Sequence, residues 1–294
     1  MDRFGYYLGC PIWSNKEWVG ELFSSSAKPK EFLRQYASVF NTVEGNTTFY
    51  ALPPASTIQK WREETPEDFR FCFKFPQEIT HTLRLQNAGT ATRIFLVRLE
   101  PLAQRLGPFF IQLPPSFGRF ELPLLENYLQ KLPANFRYAV EVRHRDFFQS
   151  DENERRLNEI LRNNNIGRVV FDTRALHAVK AAPGDVSTRE AQRKKPKVPV
   201  RFDTVADLPF VRFVGNPVIE QNKNVLSQWA QTVAKWMYEG KKPYIFMHAP
   251  NDFYAPRLAD YFHSMIKNAS EQASEMPRWP ARAELDQPQQ LELF

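Results

Sequence analysis

The chain has 294 residues and a formal net charge of +6, and 43% of its residues are apolar and 14% aromatic. This composition supplies enough apolar side chains for a sizeable core and excludes a wholly disordered protein. No apolar run approaches the roughly 18–20 residues that cross a bilayer, and the first residues do not resemble a signal peptide. We therefore expect a cytoplasmic protein with no membrane segment.

Short apolar segments alternate with longer amphipathic ones along most of the chain. We predict strands at residues 6–9, 42–44, 69–75, 109–113, 138–142, 168–171, 210–214 and 244–247. We predict helices at residues 30–38, 56–64, 91–106, 122–131, 153–163, 225–239 and 256–267. Strands that are apolar almost throughout are typical of parallel sheets covered on both faces. Eight strands with helical crossovers predict a single-domain α/β fold of the TIM (β/α)8-barrel type over residues 1–267, with a doubly wound open sheet as the alternative.

Two segments interrupt this alternation. Residues 173–208 show little periodicity and contain a basic run, which predicts an elaborated basic loop after the sixth strand. Its cations would steer a nucleic acid, and they are Arg193, Lys194, Lys195 and Lys197. The alternative is a solvated loop that only aids solubility. After about Asn268 the composition shifts to Ser, Glu, Gln, Pro and Ala, so we predict a flexible linker over residues 268–289.

Polar side chains follow most of the predicted strands, and strand ends are where barrel proteins build their sites. Candidates for acid–base or metal-assisted catalysis are Glu44, Glu141, His144, Asp172 and His248. Candidates for binding a substrate or a phosphate group are Asn46, Tyr50, Lys74, Gln112, Arg143 and Arg212. The alternative is structural, because Glu44, Lys74, Glu141 and Arg212 alternate with apolar neighbours and could pair as a buried ionic layer.

The catalytic candidates include carboxylate and imidazole groups, which are ligands that zinc and manganese accept. No HExxH or CxxC pair is present, however, so we assign no metal ligand. A divalent metal is a less favoured alternative, and the cofactor is left unassigned. We interpret His81 as an ordinary structural or surface residue.

Several long motifs resemble the YecE-like family of bacterial barrel proteins, whose domain has no known function. They are residues 43–50 (VEGNTTFY), 69–76 (FRFCFKFP), 112–117 (QLPPSF) and 140–144 (VEVRH), and the basic segment 191–200 (AQRKKPKVPV) is also similar. The resemblance covers nearly the whole chain before the tail. It implies a TIM barrel and leaves the reaction open.

The last five residues form a second recognisable motif. Residues 290–294 (QLELF) resemble the short peptide by which bacterial replication and repair proteins dock on the DNA polymerase sliding clamp. Gln290, Leu291, Leu293 and Phe294 are the predicted docking residues. Three of them are apolar anchors, each able to contribute about 1.5–3 kcal/mol when buried. The alternatives are a chance match and a tail that folds back on the barrel.

These observations lead to one main hypothesis and two alternatives. The main hypothesis is a DNA-associated barrel protein, tethered to the sliding clamp, that hydrolyses or otherwise processes a phosphodiester. The first alternative is a non-catalytic adaptor or nucleic-acid-binding protein. The second is an enzyme that acts on a small phosphorylated or sugar substrate, for which the tail is irrelevant.

Overall fold

The computed structural model describes residues 3–285. These residues contain eight strands: β1 (Tyr7–Gly9), β2 (Thr42–Gly45), β3 (Arg70–Phe73), β4 (Phe109–Gln112), β5 (Tyr138–Glu141), β6 (Gly167–Asp172), β7 (Phe210–Val214) and β8 (Tyr244–His248). Each lies where a strand was predicted, with ends that differ by at most two residues. The alternation of short apolar runs was therefore sufficient to locate the strands.

The strands form an α/β fold with a parallel half-barrel sheet in a single domain. Six strands hydrogen-bond in the order β1-β8-β7-β6-β5-β4, and β2 pairs with β3 in a second sheet. All of these pairings are parallel. The predicted complete barrel requires β2 and β3 to close the gap between β1 and β4, and that closure stays a prediction.

The helices follow the predicted alternation, with additions in the connections. They are α1 (Phe32–Val39), α2 (Ala55–Glu64), α3 (Gly89–Leu99), α4 (Leu122–Leu129), α5 (Asp146–Gln149), α6 (Asp151–Asn163), α7 (Arg174–His177), α8 (Val186–Lys194), α9 (Lys223–Tyr238), α10 (Ala255–Ala269) and α11 (Pro280–Leu285). The prediction of one helix over residues 91–106 is wrong at its end, because the chain kinks at Ala103, which has a positive φ of 50°. No helix in residues 3–285 is long and apolar enough to span a membrane.

The strands bury apolar side chains on both faces, which explains their continuous apolar runs. One large cluster packs between the strands and the helices, as Trp229 and Phe262 do from α9 and α10. A smaller cluster joins side chains from different strands on the other face, where Tyr7 of β1 stacks on Tyr244 of β8 with ring centroids 4.3 Å apart. This inner cluster forms the floor beneath the polar residues at the strand ends.

The segment after β6 is more ordered than predicted. The loop expected over residues 173–208 contains α7 and α8, and the Asp185 side chain caps α8 by accepting a hydrogen bond from the Thr188 amide at 2.9 Å. At the start of the segment, the Thr173 hydroxyl donates to the carbonyl oxygen of Pro196 at 2.9 Å. This hydrogen bond ties the later part of the segment back to the end of β6. The basic run therefore lies beside the strand ends.

The flexible linker predicted over residues 268–289 is wrong for its described part. Trp279 is 1% exposed, and the His263 ring lies 2.9 Å from the carbonyl oxygen of Ser274. The amide of Ala281, in α11, donates to the carbonyl oxygen of Leu22. The polar average of the segment concealed one large aromatic side chain, and burial of that indole favours a packed segment over a coil. Residues 286–294, with the predicted docking peptide, lie outside the described residues.

Candidate functional site

The candidate site is built around the guanidinium of Arg212, which β7 places among apolar neighbours at 5% exposure. Its Nε and Nη2 donate to the two carboxylate oxygens of Glu44 in β2, each at 2.7 Å, and its Nη1 donates to Glu141 in β5. The rings of Phe110 and Phe171 flank the guanidinium, with centroids 5.2 and 5.0 Å from its carbon. One cation thus joins three strands at their carboxyl ends.

Three further side chains complete the hydrogen bonds of the two carboxylates, and a fourth, Gln112, binds one of these three. Asn46 donates to Glu44 at 2.7 Å, and His248 Nε2 lies 3.1 Å from the other Glu44 oxygen. Arg143 donates to Glu141 at 2.7 Å and to the Gln112 side-chain oxygen at 2.8 Å. We call this group the strand-end cluster: Glu44, Asn46, Gln112, Glu141, Arg143, Arg212 and His248. The sequence predicted that these seven side chains would meet at one edge, and they do.

Both glutamates are held in the ionised form. Burial by itself would raise the pKa of Glu44, but Arg212 and His248 outweigh it and hold that pKa well below its usual range. Burial would also raise the pKa of Glu141, but Arg212 and Arg143 outweigh it and lower that pKa to about 2. All four carboxylate oxygens also accept hydrogen bonds. This arrangement suits the glutamates to positioning Arg212 better than to transferring protons.

His248 is neutral at physiological pH. Burial lowers the pKa of its imidazole to about 4, although the Glu44 carboxylate acts in the opposite direction. A neutral ring that donates from Nε2 to Glu44 leaves Nδ1 as an acceptor. Its contact with Glu44 is consistent with an orienting role.

Lys74 follows β3 and brings an amine to the same edge. Its Nζ lies 3.7 Å from the centroid of the Phe49 ring, and no residue of the described chain gives it an ion pair or a hydrogen bond. Burial, followed by the positive charge of Arg212, lowers the pKa of Lys74 to about 7. The His81 ring packs against Phe49 at 5.1 Å, so the histidine interpreted as ordinary lies beside this amine.

Lys195 is the second lysine at the cluster, and its position differs from the one predicted. The sequence placed it with the exposed steering cations, but its side chain is half-buried within electrostatic reach of Arg212, Glu44 and Asp252. His177 holds its backbone through a contact of 3.0 Å to the Lys195 carbonyl oxygen. Burial and Arg212 lower the pKa of Lys195 to about 8. Within residues 3–285 its ammonium makes no hydrogen bond or ion pair.

The other three steering candidates remain on the surface. Arg193, Lys194 and Lys197 are exposed, and Arg193 and Lys194 lie beside Glu190. No sequence signal separates Lys195 from Lys194, because the difference arises from how the segment after α8 folds over the strand ends.

Besides Lys74, which lies next to it, three predicted catalytic or binding residues lie outside the strand-end cluster. Asp172 accepts hydrogen bonds from the Arg174 guanidinium and, at 2.7 Å, from the Trp229 indole, so it faces the helix layer. His144 is half-buried beside Asp146, with Nδ1 and Oδ1 3.5 Å apart. Tyr50 is 80% exposed. The prediction that these three side chains join the cluster is wrong, because successive strand residues point to opposite faces and loop residues follow no such rule.

The charges of the cluster bear on metal binding as well. Within the described part of the chain, no three His, Cys, Asp or Glu side chains are grouped to hold a metal ion. Arg212 lies between Glu44 and Glu141 and occupies the space that a shared cation would take.

Two large grooves lie away from the cluster. One of about 960 Å³ runs between α3 and α4, and one of about 570 Å³ lies beside Phe49 and Tyr50. Neither is lined by a member of the strand-end cluster. We place the candidate site by its charges, because a groove without converging polar groups offers little chemistry.

Comparison with known proteins identifies the class to which this half-barrel with its strand-end cluster belongs. A family model described as "Protein of unknown function DUF72" matches residues 7–284, and the chain belongs to that family. It is 41% identical over 279 residues to UPF0759 protein YecE of Escherichia coli K12, covering 95% of this chain and 99% of that protein. It is 28% identical over 149 residues to UPF0759 protein YunF of Bacillus subtilis, covering 48% of this chain and 52% of that protein.

Solved structures of the family share the fold. The DUF72 family protein TM1631 of Thermotoga maritima aligns with a TM-score of 0.69 at 27% identity, covering 89% of this chain and 99% of that one. A DUF72 family protein of Enterococcus faecalis aligns at 0.66 with 19% identity, covering 93% of this chain and 99% of that one. The predicted membership in the YecE-like family is confirmed, and the family description assigns no reaction.

Proposed function

We propose that this protein binds a phosphate-bearing ligand at the strand-end cluster, and that the ligand is DNA held near a sliding clamp. The observation that carries the first part is the pair of half-buried lysines, Lys74 and Lys195, whose ammonium groups form no ion pair within residues 3–285. Asp252 acts on Lys195 electrostatically without pairing with it. Glu44 and Glu141 are already matched by Arg212 and Arg143. The two ammonium groups therefore leave positive charge for an incoming anion.

Electrostatics favours this reading of the lysines. Keeping an ammonium group partly buried beside Arg212 and without a direct ion pair is unfavourable, as the lowered pKa values of both lysines reflect. An anion that binds beside these ammonium groups would offset this penalty. The carboxyl ends of parallel strands are also where α/β proteins bind their ligands.

We further propose that β2 and β3 close the half-barrel into the eight-stranded barrel predicted from the sequence. The Glu44 amide donates to the Cys10 carbonyl oxygen at 3.1 Å, and the Phe75 amide donates to the Phe110 carbonyl oxygen at 3.0 Å. A Cβ atom on Gly9 would lie 2.1 Å from the Thr42 carbonyl oxygen, so β1 and β2 approach closely. These contacts support closure between β1 and β2 and between β3 and β4. A barrel closed in this way would enclose the strand-end cluster.

The choice of DNA as the ligand depends on the last five residues. Gln290, Leu291, Leu293 and Phe294 match the clamp-docking peptide and would bring the strand ends beside the polyanion. The exposed cations Arg193, Lys194 and Lys197 would add steering that weakens with salt. Hydrolysis of a phosphodiester stays a prediction, and so do the alternatives of a non-catalytic binder and an enzyme for a small phosphorylated or sugar substrate.

Two neighbouring lysines provide a matched test of the anion site. Lys195→Met removes the half-buried ammonium, whereas Lys194→Met removes an exposed one that pairs with Glu190. We expect Lys195→Met to weaken binding of inorganic phosphate and of a DNA oligonucleotide about tenfold, equivalent to 1.4 kcal/mol, and Lys194→Met to weaken it less than about twofold. Calorimetry and fluorescence anisotropy at low salt measure both affinities. Equal effects of the two substitutions would contradict a site at the cluster.

Deletion of residues 290–294 tests the docking proposal. We expect the truncated protein to lose capture by purified sliding clamp, because its three apolar anchors are gone, and to keep its phosphate affinity. Replacing Glu292 alone with Asp, which restores the commoner form of the motif, is the control and should retain capture. Unchanged capture after the deletion would exclude the docking peptide.

A further inference from the structure

We propose that the amine of Lys74 forms a Schiff base with an aldehyde or ketone that carries a phosphate group nearby. Two sources supply this chemistry: the opened deoxyribose of an abasic site in DNA, and a free sugar phosphate. The inference rests on the proposed phosphate site at the strand-end cluster, and it adds a covalent step and the residue that performs it.

The position of Lys74 carries the inference. Its Nζ is held over the Phe49 ring at 3.7 Å and beside the strand-end cluster, and no described residue binds it as an ion pair or through a hydrogen bond. A lysine that only balanced charge would contact a carboxylate, yet Glu44 and Glu141 are engaged with arginines. Lys74 thus offers a primary amine that is positioned over the Phe49 ring and is not occupied by an ion pair or a hydrogen bond within residues 3–285.

The surroundings of the amine keep a large fraction of it in the nucleophilic neutral form. The charged groups that act on it are Arg212, Glu141, Arg143 and Glu44, and the nearby His81 is neutral because its pKa is lowered to about 4. Burial and the two arginines outweigh the glutamates and bring the pKa of Lys74 to about 7. A desolvated lysine beside another cation is a recognised way to activate an amine for attack on a carbonyl carbon.

The two lysines then divide the work. Lys195 has a pKa of about 8 and is mostly protonated at neutral pH, so it suits the phosphate group. Lys74, which is held over the Phe49 ring and has its pKa lowered to about 7, suits the carbonyl carbon.

The step needs no oxidant, reductant or metal. The lone pair of Nζ forms a bond to the carbonyl carbon while the C=O π electrons move to oxygen, which takes a proton. The nitrogen loses one proton to give a neutral carbinolamine. Protonation of its hydroxyl and departure of water then leave an iminium ion, which gives the imine when its N–H proton is lost, so one amine and one carbonyl give one imine and one water.

Reductive trapping on the wild-type protein tests the proposal directly. The protein is incubated at pH 7 with cyanoborohydride and one of three probes: an oligonucleotide with a single abasic site, glyceraldehyde 3-phosphate, or glyceraldehyde. Peptide mass spectrometry then locates the adduct. We expect modification of Lys74, at least tenfold faster with glyceraldehyde 3-phosphate than with glyceraldehyde, and slower when inorganic phosphate competes.

Matched variants separate the nucleophile from general lysine reactivity. Lys74→Arg keeps the charge and should abolish the adduct, whereas Lys235→Arg, which changes an exposed lysine on α9, should leave it unchanged. No adduct on Lys74, or equal labelling of Lys74 and surface lysines, overturns the proposal.

The outcomes also distinguish this inference from the function on which it rests. Phosphate binding without an adduct would reject the Schiff base and leave the anion site intact. Absence of phosphate binding by the wild-type protein would reject both the anion site and the Schiff base. An adduct with the sugar phosphate and none with abasic DNA would establish the amine chemistry and assign the source to a small molecule.

Discussion

Two regions of this protein bury a carboxylate against an arginine, and they differ in what remains after the charges are paired. On the helix side, Asp172 binds the Arg174 guanidinium through both of its oxygens, and the Trp229 indole donates to it. We call Asp172 and Arg174, together with the Trp229 indole that donates to Asp172, the helix-side ion pair. At the strand ends, Arg212 holds Glu44 and Glu141 together, and Arg143 adds a second cation.

The helix-side ion pair is complete, whereas the strand-end cluster is not. One acid meets one base in the first region. In the second, Lys74 and Lys195 lie beside arginines that are already matched, and neither ammonium forms an ion pair or a hydrogen bond within residues 3–285. The comparison shows that burial and ion pairing alone do not distinguish a site from a structural element, since both regions have them. The difference lies in the unmatched charge.

The largest expected change in the free energy of unfolding comes from replacing Arg212, with Arg174 as the comparison. Arg212→Met leaves two buried carboxylates without their shared cation and should lower the free energy of unfolding by about 3–5 kcal/mol. Arg174→Met leaves one carboxylate that keeps the Trp229 indole, and should cost about 1–3 kcal/mol. Urea unfolding at pH 7 measures both. A smaller loss for Arg212→Met than for Arg174→Met would contradict the central role of Arg212.

Acid should weaken the strand-end cluster in a defined pH window. The pKa of Glu141 is about 2 in the folded protein and about 4.3 when unfolded, so its contribution is complete above about pH 5 and is lost as the pH falls towards 2. We expect this contribution to be roughly 2–3 kcal/mol. Glu141→Gln should therefore flatten the fall in stability between pH 5 and 3, whereas Glu159→Gln, at an exposed position, should not. Parallel pH profiles for wild type and Glu141→Gln would count against a strongly ionised Glu141.

The smallest expected change is a gain in stability, and it comes from replacing Lys74. The folded pKa of Lys74, about 7, lies below its unfolded value of about 10.4, so the unfolded chain binds more protons between these values and stability rises with pH there. The difference of about 3.4 pKa units corresponds to at most about 4 kcal/mol at pH 7, and loss of the Phe49 contact offsets part of it. Lys74→Met should therefore stabilise the ligand-free protein by about 1–2 kcal/mol at pH 7, with the advantage vanishing near pH 10. The exposed control Lys235→Met should change little. A destabilised Lys74→Met variant would mean that the amine has a structural role.

The prediction from sequence succeeded where one periodic property decided the outcome. Alternating apolar segments located the eight strands and their order along the chain, and polar residues at their carboxyl ends identified seven members of the strand-end cluster. It failed at Asp172, since one step along β6 turns a side chain from the inner face to the helices. It also failed at the described part of the predicted linker, where a single buried indole outweighs a polar composition.

The sequence by itself determined the strand positions, the family and the residue types gathered at the strand ends, because these depend on local patterning and on which residues end each strand. Only the tertiary structure decided how the charges pair. Glu44, Glu141 and Arg212 come from different strands, and the strength of an ion pair depends on distances and burial that chain separation does not encode. For the same reason only the fold distinguishes Lys195, half-buried beside the cluster, from Lys194, its exposed neighbour.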